Sequence, residues 1–570
     1  MKYKRKILFG VLIIMLICCI TTVSATNADN NQSLEESDVI EVDNVDDTLE
    51  TVEIEDLEVE RTGVNNGYNI SAMYTVTNTT YGNFFKPDGS LDVGSQCGAL
   101  RFSGSFIDIP FKNFVINRNI GLYFSNDAVF QNTGFKLTAQ GLSISGAKFT
   151  GDNWAGNGAV IYINGENVKV KNLFINVTAP DGVDFHGVDV LNSSNVKLLN
   201  NTIIYNVPYA NSNCYNYVIR VKDSQNAEVA NNNITAYLPL KDVNFNVPGI
   251  TFPNIATDLV ASAAIQSSNG LNFTNNVMRI NVSCRAGSYP TLDSVIIVDS
   301  NNSYIGHNDI VEIDKVTQHN QANYLYAVDV YKCYNIVIDA NKIRLNSDGG
   351  GFIVNNGTGA AYGVQLTGPH TGVVISNNNI TTVNNGPNLG IYSQNYYGNT
   401  SLTIVGNNID VTGSAGTDSW SLVSGMELQD TYANVTGNTI LVNNVAGYNP
   451  SFNAFGVSYA QWTFGNHTYD IYNNNILVKN GTYAVYLMSA VNTNVHYNAL
   501  KTINSAGTVN CGDAAVYIGS GSSNSVSNNY CRDIINTISS SFIDLKIPFA
   551  NIYKSGSYLG NFQKIGVIRS

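Results

Sequence analysis

The chain has 570 residues, of which 13% are charged, and a formal net charge of −13. That charge is local: Asp29 to Glu60 holds 14 acids and no Lys, Arg or His, and Arg61 to Ser570 is left nearly neutral at −3. A body without a basic face excludes nucleic acid as a partner, because phosphate binding depends on clustered Lys and Arg.

At the N-terminus Lys2, Lys4, Arg5 and Lys6 precede an apolar run from Ile7 to Ile20, and Val23-Ser24-Ala25 supplies small residues for cleavage. This layout predicts a signal peptide over 1–25. The run is short for a membrane span, so the mature chain is expected to have no transmembrane segment and to be extracellular or at the cell surface. Residues 26–60 read as an acidic disordered linker, since high charge with few apolar residues cannot repay the entropy of ordering. Residues 61–99 are expected to cap a stack of strands at its otherwise exposed edge. Strand-like runs at 112–117 (KNFVIN), 121–124 (GLYF) and 135–145 (FKLTAQGLSIS) then begin the stack itself.

From residue 170 onward a six-residue window recurs: apolar, any, small or polar, Asn, any, apolar. It begins at Val170, Leu198, Val229, Phe273, Ile305, Ile338, Ile375, Ile404, Val435, Ile471, Val495 and Val526. Its fourth position is Asn201, Asn232, Asn276, Asn308, Asn341, Asn378, Asn407, Asn438, Asn474, Asn498 and Asn529, with Leu173 the one exception. About ten residues before each window stands an alternating apolar–polar run such as GVDV (187–190), VIRV (218–221), GVQL (363–366), GMEL (425–428) or AVYI (515–518), the period of a half-buried strand.

Spacing between successive Asn runs from 24 to 44 residues. Helical repeats of that period would carry apolar stripes at i, i+3, i+4 and i+7, and none occurs. The predicted fold is all-β: a single-stranded right-handed parallel β-helix over 100–535 with an N-terminal cap, and a C-terminal cap or tail over 536–570. Short strands cannot stand alone, but stacked coils bury a continuous core. Right-handedness follows from the crossover preference of parallel strands. The Asn column is expected to occupy a sharp, left-handed corner and to pair amide to amide along the stack. Cys97, Cys214, Cys284, Cys333, Cys511 and Cys531 are widely spaced with no CxxC, which reads as single Cys scattered in a stacked core rather than a disulfide framework or zinc site.

These coils resemble the right-handed parallel β-helix repeat proteins of the pectate-lyase-like fold. The segment TVTNTTYGNFFKPDGSLDVGSQCGALRFSGSF (75–106), with the signal, acidic linker and Asn-column coils, is similar to adhesin-like β-helix proteins of methanogenic archaea. The resemblance implies a secreted or cell-surface protein that presents a rigid surface to glycans or other cells. The coil motif specifies fold more than function.

Two alternatives stand beside that reading: a polysaccharide-modifying enzyme (lyase, epimerase or glycosidase) and a structural envelope protein. The enzyme reading rests on Asp181, Asp184, His186 and Asp189, three carboxylates and an imidazole within nine residues. Paired carboxylates can hydrolyse a glycosidic bond, and an acid with a His can move a sugar proton. In repeat register, however, His186 takes the place of Tyr217, Tyr326 and Tyr362, and Asp189 that of Arg220, Asp329 and Gln365, so an enzyme is the less favoured reading. Candidate ligand-binding residues are Trp154, Tyr396, Tyr397, Trp420 and Trp462, aromatics in Gly/Asn/Ser-rich stretches whose rings suit sugars. The long unit containing YLPLKDVNFNVPGITFPNIATD (237–258) is a candidate binding insertion. No cofactor and no metal are predicted.

Overall fold

A computed structural model describes residues 72–532 apart from internal segments, the longest being 243–259, 316–323, 348–359, 395–400, 417–421, 447–453 and 460–466. Among the described residues the regular structure is strand, except for two 3-10 turns at Tyr81–Asn83 and Gly512–Ala515. No helix among them is long and apolar enough to cross a membrane.

Each coil contributes a short strand, a second strand and a long strand. In one coil these are Lys197–Leu199, Thr202–Asn206 and Asn216–Lys222. Each pairs in parallel with its counterpart one coil on: Glu228–Ala230, Asn233–Asp242 and Val260–Gln266. Repeated pairing of this kind builds a right-handed parallel β-helix, with the short strands forming one 13-stranded sheet. At the N-terminal end Met73–Val76 pairs with Ala99–Phe102, and Phe85 seats its ring 4.8 Å from that of Phe114, over the first core layer.

The first apolar position of the repeat window points into the core. Val170, Phe273, Ile305, Ile338, Ile375, Ile404, Val435, Ile471 and Val495 are buried. Full burial of such a side chain stabilises by roughly 1.5–3 kcal/mol, so the column is a main source of cohesion. The column of the window's sixth residue, which includes Ile175, continues into the early coils as Phe149, Phe130 and Phe106, whose rings stack at 5.2 and 4.7 Å.

The Asn column forms a continuous ladder inside the corner between short and second strands. In each rung one Oδ1 accepts both the backbone N–H and the Nδ2–H of the preceding Asn. Asn201 donates to Asn232 at 3.0 and 2.9 Å, and Asn378 to Asn407 at 2.9 and 3.0 Å. The second amide hydrogen goes to a carbonyl of the preceding coil, as from Asn378 to Ile338 O at 2.9 Å. The ladder starts at the Leu173 N–H, which donates to Asn201 Oδ1, and runs to Asn529, whose two N–H groups end on the Asp513 carboxylate. Every amide in the run is thus satisfied, which buried amides require.

The left-handed residue of this corner is not the column Asn. It is the residue before it: Asn172, Asn200, Asn231, Asn275, His307, Ala340, Asn377, Gly406, Gly437, Asn473, Tyr497 and Asn528 all have φ between 54° and 68°. The two roles fall on adjacent positions because the turn needs a permissive backbone while the ladder needs an inward amide.

The glycine that opens GVQL and GMEL has a packing cause. A Cβ at Gly425 would lie 2.3 Å from Ile440 Cγ2, and one at Gly363 2.5 Å from Ile380 Cγ2. The long sheet and the second sheet approach too closely there for any side chain.

Two further expectations need correction. Cys511 and Cys531 form a disulfide, with Cα atoms 4.9 Å apart, so these two are not isolated core cysteines. The start of the 237–258 stretch is not an insertion: residues 237–242 complete the strand Asn233–Asp242, with Leu238 and Leu240 in the core. Residues 243–258 of that stretch, and the predicted segments 1–25, 26–60 and 536–570, lie outside the described residues.

Candidate functional site

The long strands place chemistry on the side of the sheet that faces away from the core. Their inward residues, such as Val188, Ile219, Val328 and Val364, are aliphatic and buried in the main core. Two outward columns run beside them. One carries His186, Tyr217, Ala261, Asp293, Tyr326 and Tyr362 in successive coils. The other carries Asp189, Arg220, Ala264, Ile296, Asp329, Gln365, Tyr392, Glu427, Ser458, Tyr486 and Tyr517. Tyr217, Ala261, Ala264 and Ile296 pack as a cluster of their own, apart from the main core.

At the first coils Arg220 grips Asp189 with two hydrogen bonds, Nε to Oδ1 at 2.8 Å and Nη2 to Oδ2 at 2.7 Å. Burial works against the charge on Arg220, but the Asp189 carboxylate outweighs it and holds the guanidinium above its ordinary value. His186 stacks on Tyr217 at 5.3 Å and 8°, and its Nδ1 accepts the Tyr217 backbone N–H at 3.3 Å. Burial, then the Arg220 charge, pushes the imidazole well below its usual range, so it is neutral.

Further along, Tyr326 and Tyr362 stack at 5.1 Å and 18°, and Gln365 Nε2 donates to Asp329 Oδ1 at 3.3 Å. Burial pushes the Tyr362 phenol up, so it stays protonated and can donate. Glu427 is fully buried and accepts from Ser458 Oγ. Towards the C-terminal end Phe455, Tyr486 and Tyr517 stack in sequence at 4.5 and 5.1 Å. Tyr517, the last ring of that row, is 39% exposed.

The enzyme candidates do not combine into a reactive set. Asp181 is exposed. Asp184 Oδ1 accepts the Tyr215 backbone N–H of the next coil at 2.8 Å, which ties the two coils together. His186 and Asp189 are committed to Tyr217 and Arg220 as above. Trp154 is corrected from ligand contact to core: it is 3% exposed, lies 5.3 Å from Phe185 and donates Nε1–H to Gly151 O. Tyr396, Tyr397, Trp420 and Trp462 lie outside the described residues. Reading along the chain missed Glu427, Tyr486 and Tyr517, and used Tyr326 and Tyr362 only as register-mates of His186. The signal for Glu427, Tyr486 and Tyr517 was the polar position of each GVxL-type strand, read across coils rather than within one.

Among the described residues no three His, Cys, Asp or Glu side chains gather as a metal site would require. No family model and no curated protein matches the sequence. Among solved structures the chain is similar to the catalytic domain of a family 87 α-1,3-glucanase in complex with tetrasaccharides, at 13% identity over 80% of this chain and 69% of that one, TM-score 0.30. It is also similar to PfbA, a surface adhesin of Streptococcus pneumoniae, at 12% identity over 77% of this chain and 94% of that one, TM-score 0.29.

Proposed function

We propose that this is a secreted or cell-surface adhesin-like β-helix protein, and that the outward face of its long strands contacts glycan. The observation that carries the reading is the pair of outward columns, in which Tyr326, Tyr362, Tyr486 and Tyr517 keep partly exposed rings and Gln365 a partly exposed amide. Rings with polar neighbours suit sugars, whose C–H faces are apolar and whose rims are hydroxyl. A rigid stack holds such groups at one coil spacing, about 4.8 Å, so that several sugar units can be met at once. The predicted signal and acidic spacer fit display outside the cell.

The enzyme reading gains nothing comparable. Asp184 and Asp189 each serve a structural partner, and His186 is neutral and buried. Glycan-array binding by the full chain tests the proposal. Binding that falls on Tyr517→Ala and Tyr486→Ala is expected; an array without signal for natively folded protein contradicts it.

A further inference from the structure

A second cluster lies on the short-strand sheet, on the side away from the core. We propose that it is a separate binding site for a neutral saccharide, in which Tyr472 offers a ring face and Asp470 takes a hydroxyl group. It rests on the glycan-contact reading for its class of ligand, and it uses none of the same residues.

The strands Tyr432–Thr436, Thr468–Tyr472, Asn494–His496 and Ser525–Ser527 pair in register. Val435, Ile471 and Val495 point inward and are fully buried. Their alternating neighbours therefore point outward. One outward column reads Asn434, Asp470, Asn494, and the next reads Thr436, Tyr472, His496, Ser527. Tyr472 and His496 stack at 5.4 Å and 17°. The residues on either side of this pair, Thr436 and Ser527, are small, so each outer ring face has only a short side chain beside it.

The Asp470 carboxylate is only half engaged. His496 Nε2 lies 3.2 Å from Asp470 Oδ1, which engages one carboxylate oxygen and leaves the other for a hydroxyl. Asn434 Oδ1, one coil away from Asp470, is itself buried, so the open acceptor of the cluster is the Asp470 carboxylate. A neutral sugar is favoured over an acidic one, because Asp470 would repel a second carboxylate.

Tyr497 supplies an independent sign. It occupies the left-handed corner with φ 55°, where nine of the twelve coils place Asn or Gly. A tyrosine in that region is strained, and strain retained in a fold points to use. The ring is 54% exposed and stands edge-on to His496 at 5.0 Å and 70°, forming a wall beside the stacked pair.

The test is saturation-transfer NMR on the full chain with methyl glycosides of glucose, galactose and mannose. Transfer to at least one glycoside is expected, kept in Tyr486→Ala and reduced about fivefold in Tyr472→Ala. Asp470→Asn, which preserves shape, should reduce it with an unchanged circular dichroism spectrum. No transfer to any of the three, or undiminished transfer in both variants, overturns the site. Transfer lost in Tyr486→Ala but intact in Tyr472→Ala would assign binding to the long-strand face alone and also overturn it.

Discussion

Replacing Asn378 with Ala removes one rung from the middle of the ladder, and its cost can be worked from the bonds it makes. Asn378 Oδ1 accepts the N–H and the Nδ2–H of Asn341, both at 2.9 Å. Its own Nδ2 donates to Ile338 O at 2.9 Å and to Asn407 Oδ1 at 3.0 Å. The two Asn341 donors are buried and would lose their acceptor outright, at roughly 1–3 kcal/mol each. Asn407 Oδ1 keeps the Asn378 backbone N–H, so its loss is partial. The expected destabilisation of Asn378→Ala is therefore about 4 kcal/mol. The control is its neighbour: Asn377→Ala leaves the ladder intact, changes the left-handed corner, φ 55°, and removes an exposed Nδ2 bond to Asp339 Oδ1 at 2.9 Å, and should cost about 1–2 kcal/mol. Urea unfolding followed by circular dichroism compares the two midpoints. Equal midpoints, or an Asn378→Ala cost below about 1 kcal/mol, would refute the ladder as a stabilising element.

Other consequences follow from single side chains. Glu312 is fully buried, with Ser294 Oγ donating to its Oε2 at 2.6 Å, and burial pushes its carboxyl from the ordinary 4.5 to about 8. Because the folded value is raised, stability is fully present below pH 4.5 and is lost as pH rises through 8, by up to about 5 kcal/mol. Glu312→Gln should flatten melting temperature between those limits, and parallel curves for the two proteins would contradict this. Gly425→Ala should destabilise by about 1–3 kcal/mol because its Cβ meets Ile440; a thermal melt matching wild type would show that the sheets can part. Asp513→Ala removes the carboxylate that ends the ladder and accepts the Asn529 backbone N–H, so hydrogen exchange should quicken at Asn529 before it does at Asn378. Uniform exchange along the ladder would argue against end-capping.

The stack was legible because identical chemistry recurs at fixed positions. The window's first apolar residue and its fourth-position Asn became, respectively, the core column and the ladder. What misled was the pair Asn-Asn, as at 200–201, 231–232 and 377–378, where corner and ladder residues are the same type. Gly406-Asn407 and Gly437-Asn438 separate the two roles, since only the glycine can be the preferred left-handed residue. The Cys511–Cys531 pair was not legible, because it depends on an antiparallel return, Val509–Cys511 against Lys501–Ile503, that interrupts the parallel pattern. Trp154 misled because a Gly/Asn-rich neighbourhood looked exposed while its ring fills the space beside Phe185. The outward columns needed register, not local motif: Tyr326 and Tyr362 are 36 residues apart in the chain and 5.1 Å apart in space.

Hydrogen–deuterium exchange of the full chain, with and without the strongest glycan from the array, asks most directly whether the long-strand face meets sugar. Slower exchange is predicted in Tyr483–Ser489 and Val516–Ser520, the strands that carry Tyr486 and Tyr517. Binding that leaves both strands unchanged, while protecting segments elsewhere, would contradict it.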